Sequence, residues 1–242
     1  MPGPVPTAFR NRLLKALPER TLAALAPLLE PVTLPRRDNL AEPEAATPAV
    51  TFIEMGLASV VATGLRDGET VEVAHIGPEG VAGFHLLLGV DRAPSHTFML
   101  VPGTGLKASM ADVTRMMDED REFRRLMLRY VHVTQLQISY SVLANGRYTL
   151  AERLARWLLM CHDRLEEDEM ALTHQFLAQM LGVRRSGVTN EIHVLEGGQV
   201  IKATRGSIRI LDRPRLEARA GGSYGVPERE YRRVIEGERL AL

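Results

Sequence analysis

Apolar residues fall at helical spacing at both ends of the chain and alternate in strand fashion between them. Residues 8–30 carry one apolar patch at Leu13, Leu14 and Leu17 and another at Leu22, Leu25, Leu28 and Leu29, with Pro18 opening a second helix. Residues 31–50 are rich in Pro, Glu and Ala and predict loops with short extended pieces. From Ala49 the period shortens. Val50, Phe52, Met55, Leu57, Val60 and Val61 sit in a strand-forming run broken by glycine, and Thr70 to Ile76 alternates after the turn at 64–69, with His75 off the apolar set. Gly77-Pro78-Glu79-Gly80 predicts a turn, and Val81 to Gly89 a compact apolar piece with about one helical turn. His96 to Val101 predicts a strand ended by Pro102-Gly103, and Leu106 to Met110 a last short one. Short strands separated by such turns suit an antiparallel sandwich or barrel.

Residues 111–145 return to helical spacing through Met116, Met117, Phe123, Leu126, Met127, Tyr130, Val133, Ile138 and Val142, with Asn145-Gly146 as the stop. A helix of this length is about 40 Å long, more than one compact domain covers, so a second copy of the same helix is the economical partner; a helix packed only on its own barrel is the alternative. Thr149 to Leu165 predicts a further helix with Leu150, Leu154, Trp157, Leu158 and Cys161 facing inward.

Leu172 to Leu195 is the most informative stretch. Leu177, Met180 and Leu181 form the apolar face of one short helix, Gly182 supplies a turn, and Val188, Ile192 and Leu195 form the face of a second, stopped by Gly197-Gly198. Ala178 is small enough to let the two helices approach. Outward on the second helix lie Arg185, Thr189 and His193, with Ser186 and Asn190 beside them. An arginine can grip the O6 and N7 of guanine, and an asparagine the edge of adenine. Such a helix, held by its apolar back, can enter a major groove; an ordinary solvated face on a helical hairpin is the alternative. After it, Val200 to Lys202 and Ser207 to Leu211 flank a turn, giving a hairpin made basic by Lys202, Arg205 and Arg209.

Composition sharpens this reading by its distribution. The 242 residues carry 45% apolar and 25% charged residues and no net charge, as in an ordinary globular protein of one or two domains. From Leu172 to Gly221, however, eight Arg or Lys face four acids, a basic module suited to phosphate contact. Glu166 to Glu169 just before it is an acidic run that fits a solvated loop. The single cysteine, Cys161, excludes an intramolecular disulfide and cannot hold an iron–sulfur cluster; it fits a small buried residue in a reducing compartment. The N-terminal residues lack a signal-peptide core and no apolar run approaches about 20 residues, so a cytoplasmic protein without a membrane span is expected. His75 and His96 lie 21 residues apart without a neighbouring Cys or paired carboxylate, so no metal site is expected. No Walker loop, GxSxG, HExxH or dinucleotide fingerprint is present, and an enzyme is not expected.

A β-rich domain, a long helix and a helix-turn-helix with a basic hairpin, in that order, resemble the Crp/Fnr family of bacterial transcription regulators over residues 8–225, most specifically in LTHQFLAQMLGVRRSGVTNEIHVLE. The resemblance implies an α+β chain: a cyclic-nucleotide-binding-like jelly-roll sensor at 1–110, a dimerisation helix at 111–146, a winged helix-turn-helix at 147–225 and a tail at 226–242. It implies a homodimer reading an imperfect palindrome in double-stranded DNA, with RNA polymerase and a small-molecule effector as candidate further partners. Arg185, Ser186 and Asn190 occupy its base-reading places, and Lys202 to Ile210 its wing. Thr173, His174, Arg184, Thr189, His193, Lys202 and Arg205 complete the expected DNA-binding set. The sensor departs from the family's pattern. Cyclic-nucleotide-binding members have Gly-Glu-Leu, then an Arg with Ser or Thr and Ala; this chain has Gly83-Phe84-His85 and Arg92-Ala93-Pro94-Ser95. The ribose-binding carboxylate is lost, so cyclic AMP and cyclic GMP are not expected, no cofactor is predicted and the effector is unknown. Haem binding, which the family achieves through His or an N-terminal proline, finds His75, His85, His96 and Pro2 without a pattern. Phe52, Phe84, Leu86, Leu88, Arg92 and Phe98, beside Gly83, His85 and Ser95, line either an effector pocket with one cation or a filled barrel core. The alternative function is a small-molecule or protein-binding sensor whose helical domain docks a protein rather than DNA.

Overall fold

The computed structural model describes residues 9–66, 69–165 and 167–237. Two short helices come first among the described residues, α1 (Arg12–Ala16) and α2 (Glu19–Leu25). Asn11 caps α1 by accepting from the Leu14 amide, and its own side-chain amide donates to the carbonyls of Ile53 and Gly80 at 2.9 and 2.8 Å. One buried asparagine thereby starts the helix and pins it to the sheet.

The β domain is a six-stranded antiparallel sheet: β1 (Glu30–Leu34), β2 (Asn39–Ala41), β3 (Ala49–Thr63), β4 (Thr70–Ile76), β5 (Val81–Ala82) and β6 (His96–Ser109). The order is β1-β6-β3-β4, with β2 on β6 and β5 on β3. Residues 96–109 were expected as two strands parted at Pro102-Gly103 but form one. The partner strand absorbs the interruption. Pairing slips between Ile53 and Ala58, and Gly56 adopts φ +90° where the proline and glycine pass. There the two backbones nearly touch: a Cβ on Gly103 would stand 1.8 Å from the Met55 carbonyl oxygen. Gly103→Ala is therefore expected to cost about 3 kcal/mol in urea unfolding of the full chain, since backbone rather than a side-chain tip must move. Gly146, with nothing within 4 Å of its would-be Cβ, supplies the control. Gly146→Ala should add about 0.5–1 kcal/mol.

The helix expected over 111–146 is two helices, α3 (Met110–Glu119) and α4 (Arg121–Arg147). Asp120 divides them in extended geometry, and its carboxylate accepts the amides of Glu122 and Phe123, both at 2.9 Å. Burial works to raise the Asp120 carboxyl; the Phe123 amide, the Thr21 hydroxyl and the Glu122 amide outweigh it and hold the group below its ordinary range. Twenty-seven residues make α4 about 40 Å long. It runs through the expected stop at Asn145-Gly146. One face of α4 is buried against the protomer through Phe123, Met127, Tyr130, Val133 and Gln137, while Leu128, Val142 and Leu143 are largely exposed on another.

The C-terminal half comprises α5 (Leu150–His162), β7 (Glu169–Met170), α6 (His174–Leu181), α7 (Arg185–Gly197), β8 (Ile201–Thr204), β9 (Ser207–Ile210) and α8 (Arg213–Ala220). Thr149 and Glu152 form a capping box at the start of α5. Residues from 226, expected as a tail, fold into α9 (Val226–Tyr231) and a π-turn (Arg232–Glu236). Tyr231 and Ile235 bury into the core shared with α1 and α4, and the Tyr231 hydroxyl donates to the Glu79 carbonyl at 2.7 Å. The two halves also share a core, because Leu57, Val61 and Leu100 of the sheet pack with Leu177, Met180 and Leu181. No helix among the described residues is long and apolar enough to cross a membrane.

Candidate nucleic-acid interface

The helix pair α6–α7 is held from behind as the spacing predicts. Leu177, Ala178, Met180 and Leu181 are buried on α6, and Val188, Ile192 and Leu195 on α7. Thr173 caps α6 by accepting from Phe176, and Gly182 closes it at φ +64°, a left-handed turn that glycine adopts at low cost. Gly187 lets α5 come close, since a Cβ there would lie 3.0 Å from a Leu150 methyl.

The front of α7 divides into two groups. Arg185, Ser186, Asn190 and His193 are exposed along it, and Arg184 caps its start from an extended conformation. Arg184 and Arg185 have no salt-bridge or side-chain hydrogen-bond partner among the described residues, so their guanidinium groups are presented to solvent. Thr189 and His174, by contrast, meet each other: His174 Nδ1 lies 3.0 Å from the Thr189 hydroxyl, and both residues are half-buried. Burial lowers the His174 pKa, and the neighbouring Arg185 and His193 push it the same way. A neutral His174 thus ties the two helices together, whereas His193 stands free on the outer surface.

The wing is a three-stranded sheet in the order β7-β9-β8, turned at Gly206 with φ +82°. Lys202 and Arg205 are exposed on it without ion-pair partners among the described residues. Arg209, expected to add to the basic face, pairs with Glu169, which also accepts from Ser207 at 2.8 Å. Those hydrogen bonds, from Arg209 first and then Ser207, hold the Glu169 carboxyl below its usual range. The acidic run is accordingly more than a solvated loop: Asp168 meets His162 at 2.8 Å and Glu169 pins the wing, while Glu166 lies outside the described residues. The Glu196 carboxylate accepts the Ala203 amide at 2.8 Å, fixing the wing to the end of α7. Exposed cations of the wing and of the α7 start thus sit on one braced unit.

The expected sensor lining disperses. Phe52 and Leu86 are buried in the core closed by α1, α3 and α4, while Phe98 packs toward the helix-turn-helix half. Leu88 is half exposed, and Arg92 is exposed, bonding Asp91 and the Glu44 carbonyl. Gly83 adopts φ +81° before the short 3-10 turn that carries Phe84 and His85. His85 is buried with no partner for its Nε2 among the described residues, and desolvation lowers its pKa against the pull of Asp91. Ser95 is half-buried. These residues face several environments, and the filled-core alternative describes Phe52 and Leu86 better than a pocket does.

Sequence spacing missed the joint between the halves. Glu72 on β4 is buried, accepting from the Trp157 indole of α5 and from Ser59. His75, expected off the apolar set, is fully buried beside it, edge-on to Trp157 with ring centroids 5.2 Å apart. Its Nε2 lies 2.5 Å from Glu72 while Cys161 Sγ lies 4.0 Å from Nδ1, on opposite sides of the ring, so the three cannot converge on one metal ion. A glutamate in an alternating strand looks solvent-facing until a partner domain covers it, and only the period break at His75 hinted otherwise.

Residues 152–219 match the family model described as a Crp-like helix-turn-helix domain. No curated protein matches the chain. Among solved structures, FixK2 from Bradyrhizobium japonicum aligns with a TM-score of 0.70 at 17% identity, covering 80% of this chain and 98% of that one. A putative Crp/Fnr-family transcriptional regulator from Eubacterium rectale aligns at 0.67 with 14% identity over 86% of this chain and 97% of its own. A CRP/FNR-family transcriptional regulator from Thermus thermophilus aligns at 0.65 with 20% identity over 81% and 100%. Residues 152–219 are therefore a Crp-like helix-turn-helix domain, set in a chain that has the fold of Crp/Fnr-type transcriptional regulators.

Proposed function

We propose that the protein is a cytoplasmic, sequence-specific DNA-binding transcription regulator that acts as a homodimer. The observation that carries the reading is the front of α7: Arg185, Ser186, Asn190 and His193 exposed in a row, on a helix whose back is buried and whose flanking cations Arg184, Lys202 and Arg205 have no ion-pair partner among the described residues. Base edges are read by the first group and phosphates held by the second. Thr173, at the start of α6, is exposed and serves phosphate contact; His174 and Thr189 act through each other, setting the angle between the helices. The exposed apolar residues of α4, Leu128, Val142 and Leu143, form the seam for a second copy. Two recognition helices related by that seam read half-sites about 34 Å apart on an imperfect palindrome. RNA polymerase is a further partner in this reading, and the chain itself performs no catalysis.

Selection of bound duplexes from a random pool, using the full-length protein, tests the proposal. A palindromic site should emerge, and its affinity should fall steeply with salt as about six or more phosphates are neutralised. Binding that neither depends on salt nor prefers any duplex would leave the helical domain a protein-docking module.

A further inference from the structure

Where the sensor, α4 and the C-terminal helices meet lies a cavity of about 570 Å³, within the size range of small-molecule sites and at the kind of domain junction where they concentrate. Its walls come from both halves. Arg12 and Glu79 belong to the sensor side, Tyr130 to α4, Arg213 to α8 and Arg229 to α9. Tyr130 and Val133, on its wall, occupy the buried face of α4, not the face bearing Leu128 and Val142. A second copy seated on that other face leaves the cavity inside each protomer.

Most of the cations around it are already engaged. Arg164 is committed to Glu79 at 2.7 Å, Arg213 to Asp163 and Glu217 at 2.7 and 2.9 Å, and Arg12 pairs with Glu236 at 3.6 Å and donates to the Asp163 carbonyl at 3.2 Å. Glu228 accepts the Gly225 amide at 2.9 Å. Arg229 lies over Gly225, lines the cavity, and has no salt-bridge or side-chain hydrogen-bond partner among the described residues. A guanidinium facing a ligand-sized cavity, with the neighbouring carboxylates already engaged, is suited to a carboxylate or phosphate held in two-pronged fashion.

We propose that this junction is an effector site for a small hydrophilic organic anion, its carboxylate or phosphate seated on Arg229. Because the site is built from both halves, an anion bound there favours the arrangement in which the halves are docked, which is what a ligand must do to shift a two-state regulator. The site lies apart from the sensor residues 83–95.

Calorimetric titration of the full-length protein tests it with three probes: citrate for carboxylate, glucose 6-phosphate for phosphate, and glucose as the neutral control. At least one of the anions is expected to bind saturably and glucose not to bind; which anion binds identifies the headgroup. Arg229→Ala should weaken binding at least tenfold and Arg229→Lys should retain part of it, while the melting temperature of the unliganded variants stays unchanged because the side chain is exposed. The proposal is overturned if neither anion binds below about 10 mM, a free energy under about 3 kcal/mol, or if Arg229→Ala binds as well as the parent protein. DNA is absent from the titration, so this result is independent of duplex recognition.

Discussion

Arg185→Ala is expected to weaken binding to the selected duplex by about 1–3 kcal/mol and to relax the choice of base at one position in each half-site. Arg185 is the first residue of α7, and its guanidinium is exposed with no carboxylate among the described residues engaging it. A cation in that place, on a helix whose opposite side carries Val188 and Ile192 into the core, points toward whatever the helix lies against. Two-pronged bonding to guanine distinguishes that base from the other three, so its loss shows in specificity as well as affinity. Arg184→Ala makes the contrasting case. Its residue precedes the helix, and a phosphate contact there carries no sequence information; affinity should fall uniformly across duplexes and the salt slope by about one. Competition binding of parent and variants against single-base variants of the site, at two salt concentrations, separates the roles. Uniform weakening in Arg185→Ala would reassign that residue to the backbone.

The helix-turn-helix was legible because it is local. Its signals, the triplet Leu177, Met180 and Leu181, the left-handed Gly182, and the stripe Val188, Ile192 and Leu195, all lie within about two dozen residues, and the structure buries each apolar one. The β domain was legible in outline, since alternation and turn residues mark strands. The continuity of β6 through Pro102 was not, because it depends on Gly56 and slipped pairing in a strand some 45 residues away. The division at Asp120 was hidden for a related reason. Apolar spacing continues across it, and the period does not show that Asp120 caps the Glu122 and Phe123 amides while the Thr21 hydroxyl, 99 positions earlier, steadies its carboxylate. At the interface itself, spacing grouped His174 and Thr189 with the free side chains of the front. That they satisfy each other is a property of the angle between two helices, which no single-helix pattern contains. Arg209 likewise counted as a free cation until β7 brought Glu169 beside it.

Between the halves, Glu79→Ala is expected to cost about 3–5 kcal/mol of stability. Glu79 sits in the turn after β4 and Arg164 just past the end of α5, so their contact joins the β domain to the helix-turn-helix half. Both side chains are about nine-tenths buried, and the guanidinium Nε donates to Glu79 at 2.7 Å while a second nitrogen donates to the Met160 carbonyl. Burial disfavours the Arg164 cation, and Glu79, Asp163 and Glu228 overcome that and raise its pKa; a guanidinium keeps its proton even without such a partner, so removing Glu79 cannot be relieved by losing a proton. The charge must stay buried with its main partner gone, or pull water into the joint. Removing both charges is a different matter, since the desolvation of two ions consumes most of what their attraction returns. Glu79→Leu combined with Arg164→Met should therefore recover most of the loss in urea unfolding followed by circular dichroism. If Glu79→Ala instead falls within about 1 kcal/mol of the parent protein, Arg164 has reached solvent or a neighbouring carboxylate, and the halves are held chiefly by Trp157, Leu177 and Met180 against the sheet.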